Sequence, residues 1–362
     1  MKKQQNRIKK QQKIFFVLLL VVFILGTLNI VKARGLLIPE QPNLSVVDGA
    51  ININSMTLEQ KIAQMVVVHG GMHNLEPWKN MQLGGIHLFA MAEPELFSGV
   101  IDQFQEGMAI PFFVTADLEG CLNPFAAFHE STPVSEIFTV GEAYQKGSDE
   151  GKLLKEIGFS LNYAPVVDLE DQIWKCRSFP GDEKKVSELA EAYILGLQSQ
   201  DIIATAKHFP GKTLVANDPH KGLVIAEIDQ VDLFPYDYLS KKTDVGGIMV
   251  THVIALGEVN SEGEPSVVSQ QVVGMLGDYG GLIITDDTMM LGLRNFYDSV
   301  DEMYIAVFNA GNDLILNFDE DPNEIHRMIQ VVKSAVESGK ISEEQIDISV
   351  KKILNAKGFV VE

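Results

Sequence analysis

Charged and histidine side chains recur in this sequence immediately after short apolar runs. The run ends that could bind a polar ligand or move protons are Asp117-Leu118-Glu119, Asp168 with Arg177 beyond it, Lys207-His208, Thr251-His252 and Asp286-Asp287. Asp218 and His220 form a further pair, because a carboxylate two residues away can hold one imidazole nitrogen and leave the other for acid–base work. Taken alone, Asp286 could be a nucleophile or a helix cap. If these five run ends lie at the same edge of a folded sheet, they predict a site for nucleophilic and acid–base chemistry.

The apolar runs predict eight β-strands with amphipathic helices between them. Most runs are continuous, as expected for parallel strands buried on both faces. The predicted strands are Ile62–Val68, Gly85–Phe89, Pro111–Asp117, Ser160–Asp168, Ile203–Phe209, Gly247–Val253, Leu282–Asp286 and Asp313–Asn317. This alternation predicts an α/β protein with a single (β/α)₈ barrel over residues 55–362, in which active sites lie at the C-terminal ends of the strands. A doubly wound open sheet is the alternative, but no G-x-G-x-x-G follows the first strand.

The C-terminal segment carries a clear helical pattern. Its predicted buried face consists of Ile325, Met328, Ile329, Val332 and Val336. Ser342 and Gln345 then have the spacing of a capping box, with Ile341 and Ile346 placed as a hydrophobic staple. Two consecutive helices are therefore expected here.

Lys207-His208-Phe209-Pro210-Gly211, followed after six residues by Asp218-Pro219-His220, resembles a known signature. It is that of the β-N-acetylhexosaminidases of glycoside hydrolase family 3, which reads K-H-F-P-G, six residues, then D-S-H. Other stretches that match the family in order are Met56–Met65, Gly84–Phe89, Asn162–Asp168, Arg177–Phe179 and Ile283–Asp287. The resemblance runs from about Met56 to Lys357 and implies a retaining glycoside hydrolase that acts on a carbohydrate and needs no cofactor or metal.

The resemblance also implies a role for each candidate residue. Asp286 would be the nucleophile, and His220, oriented by Asp218, the acid/base. The contacts to the sugar hydroxyls would come from Asp117, Arg177, Lys207 and His208. For the last two, the alternative is a buried ion-pair network below the rim. His252, at the end of the sixth strand, could line the pocket or support Asp286.

The sequence departs from the family pattern near the third strand. The family segment D-x-E-G-G-R is here Asp117-Leu118-Glu119-Gly120-Cys121-Leu122, so Leu122 replaces an arginine. The K-H-F-P-G motif is followed by Lys212-Thr213 instead of His-Gly. A β-glycosidase with another sugar specificity is therefore one alternative, and a catalytically silent glycan-binding barrel another. A histidine acid/base also makes phosphorolysis a conceivable side activity.

Cys121 and Cys176 are the two cysteines of the sequence. They fall in the loops after neighbouring predicted strands, so a disulfide could brace the loop that carries Arg177. The alternative is two unpaired thiols.

The N-terminal segment, residues 1–34, differs from the rest. Residues 1–13 contain six basic residues, the last of which is Lys13, and no acidic residue. An apolar run from Ile14 to Val31 follows. Such a segment is a signal peptide or a membrane anchor with its basic end in the cytoplasm. Residues 35–54 are expected to be a linker, and the remainder to be extracytoplasmic, secreted or membrane-anchored.

Composition excludes one class of partner. The net charge is −20, and lysine and arginine form no run beyond the N-terminus. Nucleic-acid binders need a basic surface to neutralise phosphates, so nucleic acid is not an expected partner. The sequence gives no oligomeric state.

Overall fold

Eight parallel strands form the centre of the computed structural model, which describes residues 13, 15–26, 35, 37–214, 218 and 220–362. In chain order they are β1 (Val66–His69), β2 (Gly85–His87), β3 (Phe113–Ala116), β4 (Leu161–Asn162), β5 (Ile203–Phe209), β6 (Gly247–Val250), β7 (Leu282–Thr285) and β8 (Ile315–Leu316). Each of β1 to β6 pairs with the next strand in the chain, and β8 pairs with β1. An isolated parallel bridge between Ile284 in β7 and Leu314, the residue before β8, closes the sheet as a barrel.

Helices follow the strands and cover the outside of the barrel. The helices of the core chain are α1 (Leu58–Gln64), α2 (Leu75–Met81), α3 (Pro94–Gln105), α4 (Val140–Ile157), α5 (Glu183–Gln198), α6 (Gln230–Lys242), α7 (Gln270–Gly274), α8 (Leu291–Arg294), α9 (Val300–Asn309), α10 (Pro322–Glu337) and α11 (Glu343–Ala356). Two small parallel pairs lie outside the barrel: Ala50–Ile51 with Val360–Val361, and Ile225–Ile228 with Ile254–Gly257. The predicted α/β barrel is therefore the observed architecture.

The observed strands are mostly shorter than the predicted runs. The prediction of Ile203–Phe209 is confirmed residue for residue, whereas β4 keeps only Leu161–Asn162 of the run Ser160–Asp168. The first prediction is wrong over Ile62–Gln64, which belongs to α1. Thr57 and Gln60 form a reciprocal capping box there, and this cap starts a helix through residues that composition alone assigns to a strand.

The C-terminal helices confirm the predicted face and correct the predicted cap. All five residues of the predicted face in α10 are buried. α11 begins after Ser342 as expected, but the Ser342 side chain makes no capping hydrogen bond. Gln345 instead donates from Nε2 to the carbonyl oxygen of Phe308 at 2.7 Å, which satisfies the end of α9.

The expected linker is partly integrated into the fold. Ile51 and Ile53 are buried, and Ala50–Ile51 forms the strand pair with Val360–Val361. Of the N-terminal segment, residues 15–26 are helical, while residues 1–12, 14 and 27–34, including both ends of the predicted apolar run, lie outside the described residues. Within the described part of the chain, no helix is both long and apolar enough to cross a membrane.

Candidate active site

A cavity of about 690 Å³ opens at the C-terminal ends of the barrel strands. Its polar lining consists of His87, Asp117, Glu119, Asn123, Arg177, Lys207, His208, Asp218, His220, Asp286 and Asp287. Its apolar lining includes Phe89, Leu122, Pro124, Trp174, Met249 and Phe318. Seven of the eight predicted site residues therefore share one cavity; the eighth, His252, is not among the lining residues.

Lys207 lies at the centre of a buried ion network on the cavity floor. Its Nζ is 2.6 Å from Asp117 Oδ1 and 2.6 Å from Glu119 Oε1. Arg177 donates to the same Glu119 carboxylate through Nε at 2.6 Å and Nη2 at 2.9 Å. Burial would lower the pKa of Lys207, but the carboxylates of Asp117 and Glu119 raise it above its ordinary value. The sequence presents the ion-pair network and the sugar-binding role as alternatives. The two are compatible, because the network holds Lys207 and Arg177 at the surface of the cavity.

His208 is held by Asp168 on the same floor. Its Nδ1 lies 2.8 Å from Asp168 Oδ2, and both side chains are buried. Burial, together with the charges of Arg177 and Lys207, lowers the pKa of His208 to about 3, so the ring is neutral at neutral pH. The contact with Asp168 leaves Nε2 as the other hydrogen-bonding atom of a ring that lines the cavity.

Asp286 follows β7 and reaches the cavity, as predicted from the run end. Its Oδ1 accepts the backbone N–H of Asp287 at 2.8 Å. Burial would raise the pKa of Asp286, but the neighbouring histidines and this N–H lower it below its ordinary value. The carboxyl group is therefore ionised at neutral pH, the form that a nucleophile requires.

Asp287 serves the backbone beside it. Its Oδ1 accepts from the N–H of Met289 at 3.0 Å and of Phe318 at 3.2 Å. Burial raises the pKa of Asp287 to about 6. The side chain thus fixes the turn after β7 to the loop after β8, and helix α8 begins only later, after Met290.

His252 lies behind the cavity wall. It is 1% exposed, and its Nε2 is 2.9 Å from the carbonyl oxygen of Asp287. Burial lowers the pKa of His252 and the charge of Asp286 opposes that change. Of the two interpretations of His252, this geometry favours support of the Asp286–Asp287 turn over contact with a ligand.

Asp218 and His220 form the predicted pair at the cavity mouth. His220 Nδ1 lies 2.7 Å from Asp218 Oδ1, and the His220 backbone N–H donates to the same oxygen at 3.1 Å. Burial would raise the pKa of Asp218, but the hydrogen bonds from His220 and Lys221 lower it. The ionised carboxylate therefore orients the imidazole and leaves Nε2 for another partner.

The loop after β4 is tied down by a disulfide. Cys121 and Cys176 are bonded, with 6.1 Å between their Cα atoms, so the proposed pairing is confirmed. Asp171 in the same loop accepts the backbone N–H groups of Trp174 (2.8 Å), Cys176 (2.9 Å) and Arg177 (2.8 Å). These bonds fix the segment that delivers Arg177 to the cavity.

Several lining residues were not assigned roles from the sequence. For Glu119, the sequence signal is a charged residue at a strand exit, two residues after Asp117. His87 is the third and last residue of β2, and its Nε2 lies 3.7 Å from Asp117 Oδ2. Phe89, Trp174 and Phe318 carry no such signal, because aromatic residues in loops resemble ordinary packing residues.

The glycosyl hydrolase family 3 N-terminal domain matches residues 57–356. The chain belongs to glycosyl hydrolase family 3. The match spans all eight strands and every side chain that lines the cavity, so the family assignment and the site coincide.

Three similar proteins are 26% to 28% identical to the chain over the aligned residues. A protein named Beta-hexosaminidase LpqI from Mycobacterium bovis is 27% identical over 325 residues, covering 82% of each chain. Beta-hexosaminidase A from Pseudoalteromonas piscicida is 28% identical over 289 residues, which are 70% of this chain and about half (48%) of that relative. The solved family 3 β-N-acetylglucosaminidase from Paenibacillus superposes with a TM-score of 0.76 at 26% identity, covering 84% of this chain and 62% of that one.

The cavity offers no recognisable metal centre. Among the described residues, no group of three or more His, Cys, Asp or Glu side chains is arranged to hold a metal ion.

Proposed function

We propose that this family 3 protein is a retaining β-N-acetylhexosaminidase that removes a terminal β-linked N-acetylhexosamine, such as N-acetylglucosamine, from a glycoconjugate. Peptidoglycan fragments are one such substrate. The observation that carries the proposal is that Asp286 and the Asp218–His220 pair line one cavity together. The names of the relatives support the choice of sugar.

The proposed reaction has two steps. In the first, the Asp286 carboxylate attacks the anomeric carbon, the bond to the leaving oxygen breaks, and the proton on His220 Nε2 passes to that oxygen. In the second, water attacks the anomeric carbon, gives its proton to His220, and displaces Asp286 as the free carboxylate. Both steps use only groups of this chain and water.

The floor of the cavity would bind the sugar hydroxyls. Lys207 and Asp117 offer a donor and an acceptor 2.6 Å apart, and Arg177 is held rigid by its two bonds to Glu119. Charged hydrogen bonds of this kind are stronger than neutral ones, and sites built on them reject analogues that lack a hydroxyl group. His208 is proposed to add its neutral Nε2 to this set.

Turnover of a chromogenic β-N-acetylglucosaminide tests the proposal. Asp286→Asn is expected to lower kcat by roughly 10³-fold or more, since removal of a catalytic nucleophile has effects of this order. Asp287→Asn is the matched control, because its amide oxygen can still accept the two backbone N–H groups; it should keep activity within about tenfold. A slow fluorinated substrate should add one sugar mass to the peptide that contains Asp286. Equal activity of Asp286→Asn and the wild type would refute the assignment.

A different sugar specificity is favoured by one observation. Leu122, where the family pattern has arginine, lines the cavity and is 37% exposed. Side-by-side assays with chromogenic β-N-acetylglucosaminide and β-glucoside decide between the two sugars. Turnover of neither substrate by folded protein would favour a glycan-binding barrel, and a dependence on phosphate would indicate phosphorolysis.

We further propose that the barrel acts outside the cytoplasmic membrane, attached or released through residues 1–34. The basic and apolar pattern of that segment supports export. The Cys121–Cys176 disulfide also supports it, since such bonds persist in oxidising compartments. Cleavage of the barrel by protease added to intact protoplasts is the expected result, and complete protection until lysis would contradict it.

A further inference from the structure

We infer that Trp174 is a positioning residue for His220, the proposed acid/base. The loop after β4, which the disulfide braces, holds the Trp174 indole against the His220 imidazole. The inference rests on the proposed function, because it assigns a purpose to a contact with its acid/base.

The His220 side chain is 57% exposed. Among the described residues, its one hydrogen bond joins Nδ1 to Asp218. One hydrogen bond leaves the imidazole free to tilt about that bond. The acid/base must instead hold Nε2 within hydrogen-bond reach of the leaving oxygen, so a second contact is needed.

Trp174 supplies that second contact. The indole and imidazole rings meet nearly at right angles, at 84°, with 6.4 Å between their centroids. This edge-to-face arrangement lies within the range that aromatic pairs prefer. It restricts the tilt that the bond to Asp218 leaves open.

Trp174 is itself held from two sides. The Arg177 guanidinium lies over the indole, with Cζ 4.6 Å from the ring centroid. The backbone N–H of Trp174 donates to Asp171, whose carboxylate also binds Cys176 and Arg177. Burial would raise the pKa of Asp171, but these N–H groups lower it, so the acceptor stays ionised.

Two further ties connect this loop to its neighbours. The disulfide joins Cys176, two residues after Trp174, to Cys121 in the loop after β3. The backbone N–H of Gln172 donates to the carbonyl oxygen of Leu214, in the loop after β5. The indole is thus fixed to the residues that would bind the sugar and to the loop that carries the acid/base.

Leaving-group dependence separates this role from simple structural support. An alkyl β-N-acetylglucosaminide needs protonation of its leaving oxygen, whereas a 2,4-dinitrophenyl one does not. Trp174→Ala should therefore lower kcat/KM for the alkyl substrate by about 30- to 100-fold, which is less than or equal to the smallest typical effect of general acid catalysis because His220 itself remains. The loss for the dinitrophenyl substrate should stay below about threefold. A merely structural residue would lower both values equally.

Conservative and control variants complete the experiment. Trp174→Phe keeps an aromatic edge and should restore most of the alkyl activity. Should Trp174→Ala fail to fold, Trp174→Leu keeps apolar volume without a ring and should show the same split between substrates. Leu122 lines the same cavity but forms no aromatic contact with His220, so Leu122→Ala should change kcat/KM for both substrates by the same factor.

His220→Ala, measured in parallel, distinguishes the two possible failures. If His220→Ala shows the leaving-group split and the Trp174 variants show equal or no losses, the positioning role is overturned and the acid/base assignment stands. If His220→Ala itself shows no split, the acid/base assignment fails, and the role of Trp174 fails with it.

Discussion

At the scale of single residues, Glu119 explains how two cations can sit side by side at the cavity floor. Lys207 and Arg177 both bind its carboxylate, which is buried. Burial would raise the pKa of Glu119, but the charges of Arg177 and Lys207 lower it, so the group is ionised. The Glu119 carboxylate therefore fixes the positions of the Lys207 and Arg177 cations.

Glu119→Gln removes that charge with almost no change of shape. We expect the free energy of unfolding to fall by about 3 to 5 kcal/mol, because breaking a buried pair leaves an uncompensated charge. Urea denaturation measures the loss, and KM for the sugar substrate should rise. Glu130→Gln, at an exposed position in the same loop, is the control and should stay within about 0.5 kcal/mol of the wild type. A similar stability for both variants would contradict the network.

His87 is expected to make stability depend on pH. It is buried, stacked with Tyr163 and Phe318, and burial lowers the pKa of His87 to about 4. Between pH 6.5 and 4 the unfolded chain binds the proton and the folded chain does not, so stability is full above pH 6.5 and falls as pH decreases to 4. The contribution is up to about 3 kcal/mol.

His87→Gln should remove this contribution. Urea denaturation at pH 7 and pH 4.5 should then show a smaller difference in the free energy of unfolding than in the wild type. His73→Gln, whose side chain is 59% exposed in the folded chain, should keep the wild-type difference. An unchanged pH difference in His87→Gln would mean that His87 is protonated in the folded state.

At the scale of elements, α4 and α5 approach closely because glycines face each other. A Cβ added at Gly196 would collide with the backbone carbonyl oxygen of Tyr144, and one at Gly147 with that of Tyr193. Since neither neighbour is a flexible side chain, the helices themselves would have to move apart. α5 follows directly from the braced loop, so its position also affects the site.

Gly196→Ala should therefore destabilise the protein by about 1 to 3 kcal/mol or more, despite the better helix propensity of alanine. Gly141→Ala is the matched control within α4, where an added Cβ meets nothing within 4 Å. This variant should have the same free energy of unfolding as the wild type or one that is higher by up to about 1 kcal/mol. Thermal unfolding of the two variants checks the sign of each effect, and opposite signs are the expected result.

Elements also mark how far the sequence predicts the fold. Continuous apolar runs located all eight strands, because burial on both faces leaves a local signal. The strand ends are less predictable: Ile62 and Ala63 extend the apolar run of β1, but the cap at Thr57 starts a helix that includes them. The cap predicted at Ser342 failed for the converse reason, since Gln345 is used by a carbonyl group of another helix.

At the scale of the whole molecule, the barrel itself made most of the site predictable. Residues as distant as Asp117 and Asp286 were placed on one rim because parallel strands end on the same side. Loop partners such as Trp174 and Phe89 were not predictable, because their positions depend on how whole loops fold over the rim. For His252 the sequence predicts the position at the end of the sixth strand. Its burial behind Asp287 is not predictable, because it depends on the neighbouring strand.

A short strand before α1 pairs with the C-terminal strand beside the barrel, which makes the segment just before α1 part of the folded unit. Ala50–Ile51 pairs with Val360–Val361, and Ile51 and Ile53 are 0% and 3% exposed. A chain beginning at Ser55 should therefore be less stable than one beginning at residue 35, by about 3 to 6 kcal/mol for the two isoleucines. Ile51→Ala in the longer chain separates burial from length and should cost about 2 to 5 kcal/mol. If urea denaturation gave equal stabilities for all three, residues 35–54 would be a linker after all.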